Sequence, residues 1–583
     1  MFKLLKYLKP YWLSVFLLVT TLAGQVFCTL QLPALMSKIV NDGILTENPD
    51  ITWKIGVNML GFTLLSILFA LATHFFSARV GAAFSRDLRN AFYRHVLSLS
   101  SSEIEKFSTA SLITRTTNDI SQVQSATMMM LTMLLRAPLM GIGAIIQAFR
   151  TAPDMTWIIA LAVIAILTFS ISILAVVIPK FKIFQKLLDK ITLLARENLT
   201  GLRVIRAFNN EKTEQSKFSA ANSELTKLNL FISKLMSLED PLIGIVLNGT
   251  TLLVVWVGLR HLETDLSYLG NTIAFVQYAT SVIISFLILT MLFVVLPRAN
   301  VSAGRINEVF KTKSKIKFPE TTAGSPDKTP SIEFKHVSFA YPGAEADVLS
   351  DISFSAHSGE TTAFIGSTGS GKSTLISLVP RFFDPTSGEI RLNNLPLKAY
   401  SETDLMQKIG YVPQRGVLFS GTVKSNIAFG VENPDDALLK TAAKISQSEN
   451  FIAKLDKKYD AHIAQGGTNV SGGQKQRLSI ARAIAKRPEV YIFDDSFSAL
   501  DMKTDKTLRA ALKPETKNSI VLVVAQRINT IKDADQIIVL DNGKIVGKGT
   551  HFSLLKSCQT YREIVKSQFS ETEYERELRH ASK

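Results

Sequence analysis

Long uncharged apolar stretches dominate the first half of the chain, whereas short apolar runs separated by polar residues make up the second half. Six of the long stretches reach the length of about 20 residues that a helix needs to cross the hydrocarbon core of a membrane. They cover residues 12–37, 55–78, 127–149, 155–179, 241–259 and 270–297. Soluble cores rarely hold one such stretch, so the pattern predicts an α-helical transmembrane domain with six spans.

The second half alternates short β-rich runs with helical patterns, which is typical of an α/β domain. The predicted strands are 332–339, 362–365, 408–412, 490–493, 519–524 and 536–540. Residues 311–330 are rich in Lys, Ser, Thr and Pro and read as a linker. The predicted organisation is therefore a transmembrane domain at 1–310, a linker at 311–330 and an α/β domain at 331–583.

Basic residues are concentrated beside the apolar stretches. The formal net charge is +16, and the two long loops, 80–126 and 180–240, are rich in Lys and Arg while the short loops are not. Basic loops stay on the cytoplasmic side, so a multi-pass protein of the cell membrane is predicted, with both termini and the α/β domain cytoplasmic. This placement of charge argues against nucleic-acid binding. The two cysteines, Cys28 and Cys558, lie in different halves and form no disulfide framework or metal motif.

The two long basic loops carry apolar residues at helical spacing with few helix breakers. This pattern predicts that the membrane helices continue beyond the bilayer as helical hairpins with short tips near 107–113 and 201–208. Arg136 lies inside the third apolar stretch, where a charge is costly. The sequence leaves open whether Arg136 serves the substrate or gating, or instead pairs or snorkels near a helix end.

A glycine-rich loop follows the strand predicted at 362–365 and opens a helical run. Its residues are Gly366, Ser367, Thr368, Gly369, Ser370, Gly371, Lys372, Ser373 and Thr374. The first eight have P-loop spacing, in which glycines let backbone N–H groups approach phosphate oxygens closely. Lys372 would neutralise the β- and γ-phosphates and Ser373 would ligate Mg²⁺. The second domain is therefore predicted to be an α/β P-loop nucleotide-binding domain that takes ATP and Mg²⁺.

An apolar strand at 490–493 ends in the carboxylates Asp494 and Asp495. A carboxylate at the end of such a strand is where P-loop enzymes hold magnesium. We assign this role to Asp494.

The sequence Val-Ser-Gly-Gly-Gln at 470–474 opens another helical run between these two motifs. The P-loop, this sequence, the carboxylate strand and the pair Gln526-Arg527 resemble the ATP-binding cassette (ABC) family in order and spacing. With six preceding spans, nearly the whole chain resembles an ABC half-transporter of the exporter type, with the type IV fold.

The resemblance implies further roles. Tyr341 matches the aromatic residue that stacks on adenine, and Gln414 matches the glutamine that links Mg²⁺ and the attacking water to the membrane domain. Cassettes of this family act in pairs, and each ATP lies between the P-loop of one and the signature sequence of the other. The signature residues that would contact ATP on a second half-transporter are Ser471, Gly472, Gly473 and Gln474.

Two positions depart from the family pattern. Asp495 stands where the family usually has Glu, and Gln526 stands where it usually has His. Asp is one methylene shorter, and a displacement of about 1 Å can cost a catalytic group about 100-fold in rate. Gln can donate a hydrogen bond but cannot carry charge or move a proton as His can. Both departures fall on the site built on this chain's own P-loop, where Asp495, Gln526 and Gln414 are the candidate catalytic residues.

The sequence therefore predicts a subunit of an ATP-driven exporter of hydrophobic or amphipathic compounds, of the multidrug type. It would work as a heterodimer in the bilayer, with a degenerate site on this chain and an intact signature that completes the partner's catalytic site. Two alternatives stay open: a homodimeric lipid or drug exporter, and an ATP-gated membrane regulator that transports nothing.

Overall fold

A computed structural model describes residues 1–262 and 265–582 of the chain. Lys583, the end of the predicted second domain, lies outside the described residues. The chain divides into two compact units. One consists of Met1–Leu97 with Thr109–Thr312, and the other of Ser98–Ser108 with Lys313–Lys583.

The first unit is helical. The α-helices of this part of the chain are α1 (Trp12–Lys38), α2 (Pro49–Leu97), α3 (Ser101–Phe107, in the second unit), α4 (Thr109–Thr114), α5 (Ile120–Met129), α6 (Leu135–Thr151), α7 (Thr156–Thr200), α8 (Leu202–Ala207), α9 (Glu211–Met236), α10 (Glu239–Leu262) and α11 (Tyr268–Lys311). Among the residues that the structure describes, six helical segments are long and apolar enough to cross a membrane. Each contains one of the stretches predicted from the sequence, so the prediction of six spans is confirmed.

The spans are longer than a bilayer requires. Helix α2 has 49 residues and α7 has 45, and at a rise of 1.5 Å per residue each is about 70 Å long. A hydrocarbon core of about 30 Å covers less than half of that length. The prediction that membrane helices continue beyond the bilayer agrees with these lengths.

The helices are interrupted at positions that carry no local sequence signal of a break. π-helical turns at Arg115–Asp119 and Met130–Leu134 lie on either side of α5, and a third at Ile39–Ile44 extends α1. Arg136 lies in α6, directly after the second of these turns.

The tip of the first hairpin lies earlier than predicted. The short helix there is α3, which ends at Phe107, and Ser108 then adopts a positive φ of 56° before α4 begins. The side chain of Glu103 and the backbone N–H of Ser100 form a capping box at the start of α3, a signal that the sequence analysis overlooked. The second tip is α8, which lies within the predicted range 201–208.

The second unit is an α/β domain with twelve strands among its described residues. They are β1 (Ser331–Phe339), β2 (Leu349–His357), β3 (Thr361–Gly366), β4 (Ser387–Leu392), β5 (Leu395–Pro396), β6 (Ile409–Val412), β7 (Gly421–Thr422), β8 (His462–Ile463), β9 (Val490–Asp494), β10 (Ile520–Val524), β11 (Gln536–Asp541) and β12 (Lys544–Gly549). The six predicted strands correspond to β1, β3, β6, β9, β10 and β11.

The largest sheet has the strand order β12-β11-β3-β10-β9-β6. Its strands are parallel except for β12, which pairs antiparallel with β11. Strands β9 and β10 are buried along their whole length, which explains their continuous apolar sequences. The carboxyl ends of β3 and β9, one strand apart, bring the P-loop and the acidic pair to the same edge.

The helices of this unit are α12 (Lys372–Ser377), α13 (Glu402–Lys408), α14 (Val423–Ile427), α15 (Asp436–Ile445), α16 (Glu449–Ile452), α17 (Gly472–Lys486), α18 (Met502–Glu515), α19 (Ile528–Ile531), α20 (His551–Ser557), α21 (Gln559–Gln568) and α22 (Glu571–Ser582). A separate antiparallel sheet has the order β2-β1-β4-β5.

The predicted linker contains no regular secondary structure after α11, but part of it is bound to the α/β unit. The backbone N–H of Ala323 donates to the carbonyl of Ala399 at 2.8 Å, and that of Asp327 donates to Asn393 at 2.9 Å. The ring of Phe318 lies under the guanidinium of Arg381, 4.6 Å from its centre. These contacts fix this part of the linker on the α/β unit, so the linker is not flexible along its whole length.

Candidate ATP site

The P-loop joins the end of β3 to the start of α12. Gly371, directly before the helix, has a φ of +94°, which side chains other than glycine rarely adopt. At Gly369 an added Cβ would meet no atom within 4 Å, so this part of the loop borders open space. The loop therefore has the conformation and the room that a phosphate group requires.

Lys372 folds its side chain back across this loop. Its Nζ donates to the carbonyls of Gly366 at 2.9 Å and Ser367 at 2.7 Å, and to Ser370 Oγ at 3.2 Å. All of these acceptors are neutral. Burial lowers the pKa of Lys372, and the nearby carboxylates Asp495 and Asp494 partly offset that effect. A buried cation held by neutral acceptors favours an anion beside it.

Ser373 and Asp494 are brought together as the sequence predicted for two magnesium ligands. Ser373 Oγ donates to Asp494 Oδ1 at 2.8 Å. Burial raises the pKa of Asp494, and the charge of Asp495 adds to that rise. A divalent cation would relieve this cost, because it supplies the positive charge that the buried carboxylate lacks.

Two of the three candidate catalytic residues, Gln414 and Gln526, donate hydrogen bonds to one carboxylate oxygen of the third, Asp495. Asp495 Oδ2 accepts hydrogen bonds from Gln526 Nε2 at 3.0 Å and from Gln414 Nε2 at 3.3 Å. Asp495 is buried, and its φ of +45° directs the residue out of the line of β9. Burial raises the pKa of its carboxyl group, while the hydrogen bond from Gln414 lowers it.

Tyr341 lies at the end of β1 beside the P-loop helix. Its hydroxyl lies 3.1 Å from Thr374 Oγ1, and its ring meets Phe339 and Phe383 edge-on at centroid distances of 5.0 and 5.4 Å. The ring is only partly buried. Its role in stacking on adenine stays a prediction.

The signature residues form the start of α17. Ser471 caps this helix: its Oγ accepts from the backbone N–H of Gln474 at 3.4 Å, and Gln474 Oε1 accepts from the N–H of Ser471 at 2.9 Å. Ser471 and Gly472 are exposed. Within the described residues, no hydrogen bond joins Ser471, Gly472, Gly473 or Gln474 to the P-loop of the same chain, so this exposed helix start is free for a ligand on another chain.

The arrangement fits ATP with magnesium. The loop around Gly369 is open, Lys372 supplies a cation, and Ser373 with Asp494 supplies two oxygen ligands. Magnesium in proteins is usually held by one or two carboxylates together with substrate phosphates and water. Among the described residues there is no group of three or more acidic, His or Cys side chains that would hold a metal without a nucleotide.

Two contacts in the site were missed by the sequence analysis. Tyr411 OH donates to Asp494 Oδ2 at 3.5 Å, the second oxygen of the predicted magnesium ligand. Ser498 Oγ donates to the carbonyl of Asp495 at 2.7 Å and fixes the turn in which this residue lies. Tyr411 lies on β6, the strand that pairs with β9, so strand pairing was the signal available.

Comparisons with known proteins match both halves of the chain. Residues 15–287 match the ABC transporter transmembrane region, and residues 349–498 match the ABC transporter family. The fold is similar to that of a solved bacterial Atm1-family ABC exporter with ATP bound, with a TM-score of 0.79, 24% identity, and coverage of 96% of this chain and 99% of that one.

Similar proteins extend over the full length. An ABC transporter ATP-binding protein of Mycobacterium tuberculosis is 38% identical over 97% of both chains. The Bacillus subtilis protein YfiB is 36% identical over 97% of this chain and 98% of its own. An ATP-dependent lipid A-core flippase of Hahella chejuensis is 31% identical over 98% of this chain and 97% of its own. The chain therefore belongs to the ABC transporter family, as an exporter-type fusion of a membrane-spanning region and an ATP-binding domain that couples ATP hydrolysis to transport.

Proposed function

We propose that this chain is one half of a heterodimeric multidrug-type exporter, and that its own P-loop site binds ATP but hydrolyses it slowly. The proposal rests on the side-chain length and the hydrogen bonds of Asp495. Its carboxylate is short, and one oxygen is already occupied by amide donors from Gln414 and Gln526. A general base must instead direct a free oxygen at the proton that it removes.

The binding half of the machinery is complete. Lys372 would neutralise phosphate charge, and Ser373 and Asp494 would hold Mg²⁺, which when bound supplies positive charge to the transferred phosphoryl group. The catalytic half is weak, because Gln526 has no titratable group and holds Asp495 as an acceptor. ATP at this site would therefore act mainly to keep two cassettes together.

The exposed start of α17 gives this chain its second role. Ser471, Gly472, Gly473 and Gln474 would contact ATP on the partner's P-loop, where hydrolysis takes place. Closing and reopening of the cassette pair would move the long helical hairpins and change the side on which the membrane cavity opens. Substrates would be hydrophobic or amphipathic, the ATP-binding domain and both termini cytoplasmic, and transport outward.

The test is ATP hydrolysis by the purified chain in lipid, measured alone and with a half-transporter that carries the usual Glu and His. We expect nucleotide binding but turnover near zero for the chain alone, and turnover when the partner is added. The Lys372→Ala variant of this chain, measured alone, gives the background rate of ATP hydrolysis. Rapid hydrolysis by the lone chain that is lost in Lys372→Ala would contradict the proposal.

A homodimeric lipid exporter is the second candidate. The lipid substrate is supported by the full-length similarity to a protein described as an ATP-dependent lipid A-core flippase. In that case the lone chain would hydrolyse ATP, and lipid would stimulate the rate. The same assay therefore separates the two candidates.

A further inference from the structure

An open cavity lies at the turn between the first two spans, remote in sequence from every nucleotide-binding residue. Its volume is about 760 Å³, within the range of about 300–1,000 Å³ that small-molecule sites occupy. It is lined by the end of the π-helical turn Ile39–Ile44, the loop after it and the first turns of α2. The short loop here carries no Lys or Arg between residues 39 and 50.

Local backbone geometry explains why the cavity exists. At Gly43 an added Cβ would lie 2.3 Å from Thr52 Oγ1, so the π-helical turn and α2 approach closely at this point. The chain then turns at Glu47, which has a φ of +50°. At Gly56 an added Cβ would meet nothing within 4 Å, so the missing side chain leaves the space open.

The walls are apolar and the rim is acidic. Trp53, Val57 and Leu60 form one wall, and Trp53 is 75% exposed. Glu47 lies on the rim, and its carboxylate has no ion pair or side-chain hydrogen bond within the described part of the chain. Two neighbouring side-chain oxygens make local hydrogen bonds: Asn48 Oδ1 accepts from the N–H of Ile51 at 3.2 Å, and Thr52 Oγ1 donates to Asn48 O at 3.1 Å.

The length and the charge of this cavity indicate which class of ligand it could bind. From Pro49 to Leu60 the helix rises about 16 Å, roughly half of a hydrocarbon core of about 30 Å. A ligand must therefore be polar at the loop and apolar along α2. Glu47 is the charged residue among those that line the cavity, and its carboxylate disfavours the phosphate of a phospholipid. An exposed Trp ring and a carboxylate that line the same cavity suit an organic cation.

We propose that this cavity binds an amphiphile with a net positive head, such as a substituted ammonium group, and an apolar tail. The head lies between Glu47 and the Trp53 ring, and the tail follows α2 past Gly56 towards Leu60. The site requires neither ATP nor a partner chain, so its test is independent of the proposed heterodimer.

Trp53 provides the measurement. The full chain in nanodiscs, with Trp12, Trp157 and Trp256 replaced by Phe, has Trp53 as its remaining tryptophan. The probe is a brominated hexadecyltrimethylammonium below solubilising concentration, which quenches the fluorescence of a nearby tryptophan. A brominated alkyl sulfate of the same length and brominated phosphatidylcholine are the charge and lipid controls. Nucleotide binding by each variant confirms that it is folded.

We expect quenching by the cation to saturate. Glu47→Gln should weaken the apparent affinity about threefold, as for an exposed ion pair. Gly56→Phe should fill the cavity and abolish the saturable quenching. Gly61→Phe is the matched control, because an added Cβ there also meets nothing within 4 Å but Gly61 does not line the cavity. Non-saturable quenching that is equal in all variants, or equal binding of the sulfate or the phospholipid, would overturn the proposal.

Discussion

The shared hydrogen bonds at Asp495 make the two departures from the family pattern one coupled unit. We therefore consider Asp495→Glu and Gln526→His, singly and together, in this chain paired with a half-transporter whose own catalytic Glu is replaced by Gln. Hydrolysis then reports only the site built on this chain's P-loop. The two side chains lie 3.0 Å apart, from Gln526 Nε2 to Asp495 Oδ2, so their effects should not be additive.

The expected magnitudes follow from geometry. Glu adds one methylene, about 1.5 Å of reach, and correcting a misplacement of about 1 Å is worth about 100-fold. With Gln526 still present, the longer carboxylate remains within reach of two amide donors, and a hydrogen bond to a charged group is worth about 1.5–3 kcal/mol. We therefore expect Asp495→Glu alone to raise the rate less than tenfold, and the double variant about 100-fold, which is about 2.7 kcal/mol.

The assay is a single turnover with radiolabelled ATP, so that slow hydrolysis is measured without product release. Adding Lys372→Ala to the double variant gives the background, since that site should no longer hold ATP. A full rise from Asp495→Glu alone would show that Gln526 does not limit the reaction. Strictly additive single effects would refute the coupling through Asp495 Oδ2.

Three further results are expected. Lys372→Ala removes the cation that faces the phosphates, so fluorescent-nucleotide titration should show binding to this chain weakened by at least about tenfold, the size of a lost charged hydrogen bond. Ser471→Ala should leave that binding unchanged but lower steady-state hydrolysis at the partner's site, because Ser471 makes no hydrogen bond to this chain's own P-loop. Burial raises the pKa of Asp495 in the folded protein. The charged carboxylate therefore destabilises the fold at pH values above this raised pKa. Below the ordinary pKa of an unfolded Asp the group is protonated in both states, and the cost disappears. In thermal unfolding without nucleotide at pH 7, Asp495→Asn should therefore raise Tm, by about 2–4 °C per kcal/mol, with the difference shrinking towards pH 4; a lowered Tm at pH 7 would contradict this.

The spans and the central strands were accessible from sequence because each has its own local signature. Uncharged stretches identify the spans, and the fully buried strands β9 and β10 are continuous apolar runs. Strands β2 and β4 were missed although buried positions alternate with more exposed ones in part of each strand. Their identity depends on pairing with β1, which a single stretch of sequence does not reveal.

The sequence predicted those parts of the site in which a single motif defines the role of each residue. The pairing of Ser373 with Asp494 follows from motif roles, and the structure places these side chains in hydrogen-bond contact. The convergence of Gln414 and Gln526 on one oxygen of Asp495 was not predictable. It depends on the ends of three different strands, β6, β9 and β10, and on the positive φ of Asp495, neither of which leaves a mark in the local sequence.

The asymmetry between binding and catalysis in this site has a structural basis. The residues expected to hold ATP, Lys372, Ser373 and Asp494, make their side-chain contacts with one another, with the P-loop and with Tyr411. Asp495 instead makes its side-chain hydrogen bonds with Gln414 and Gln526. Changes at Asp495 and Gln526 can therefore reduce hydrolysis without dismantling the nucleotide cradle. A half-transporter with such a site keeps what is needed to close on ATP and to present Ser471 to its partner, and it leaves the chemistry to the other site.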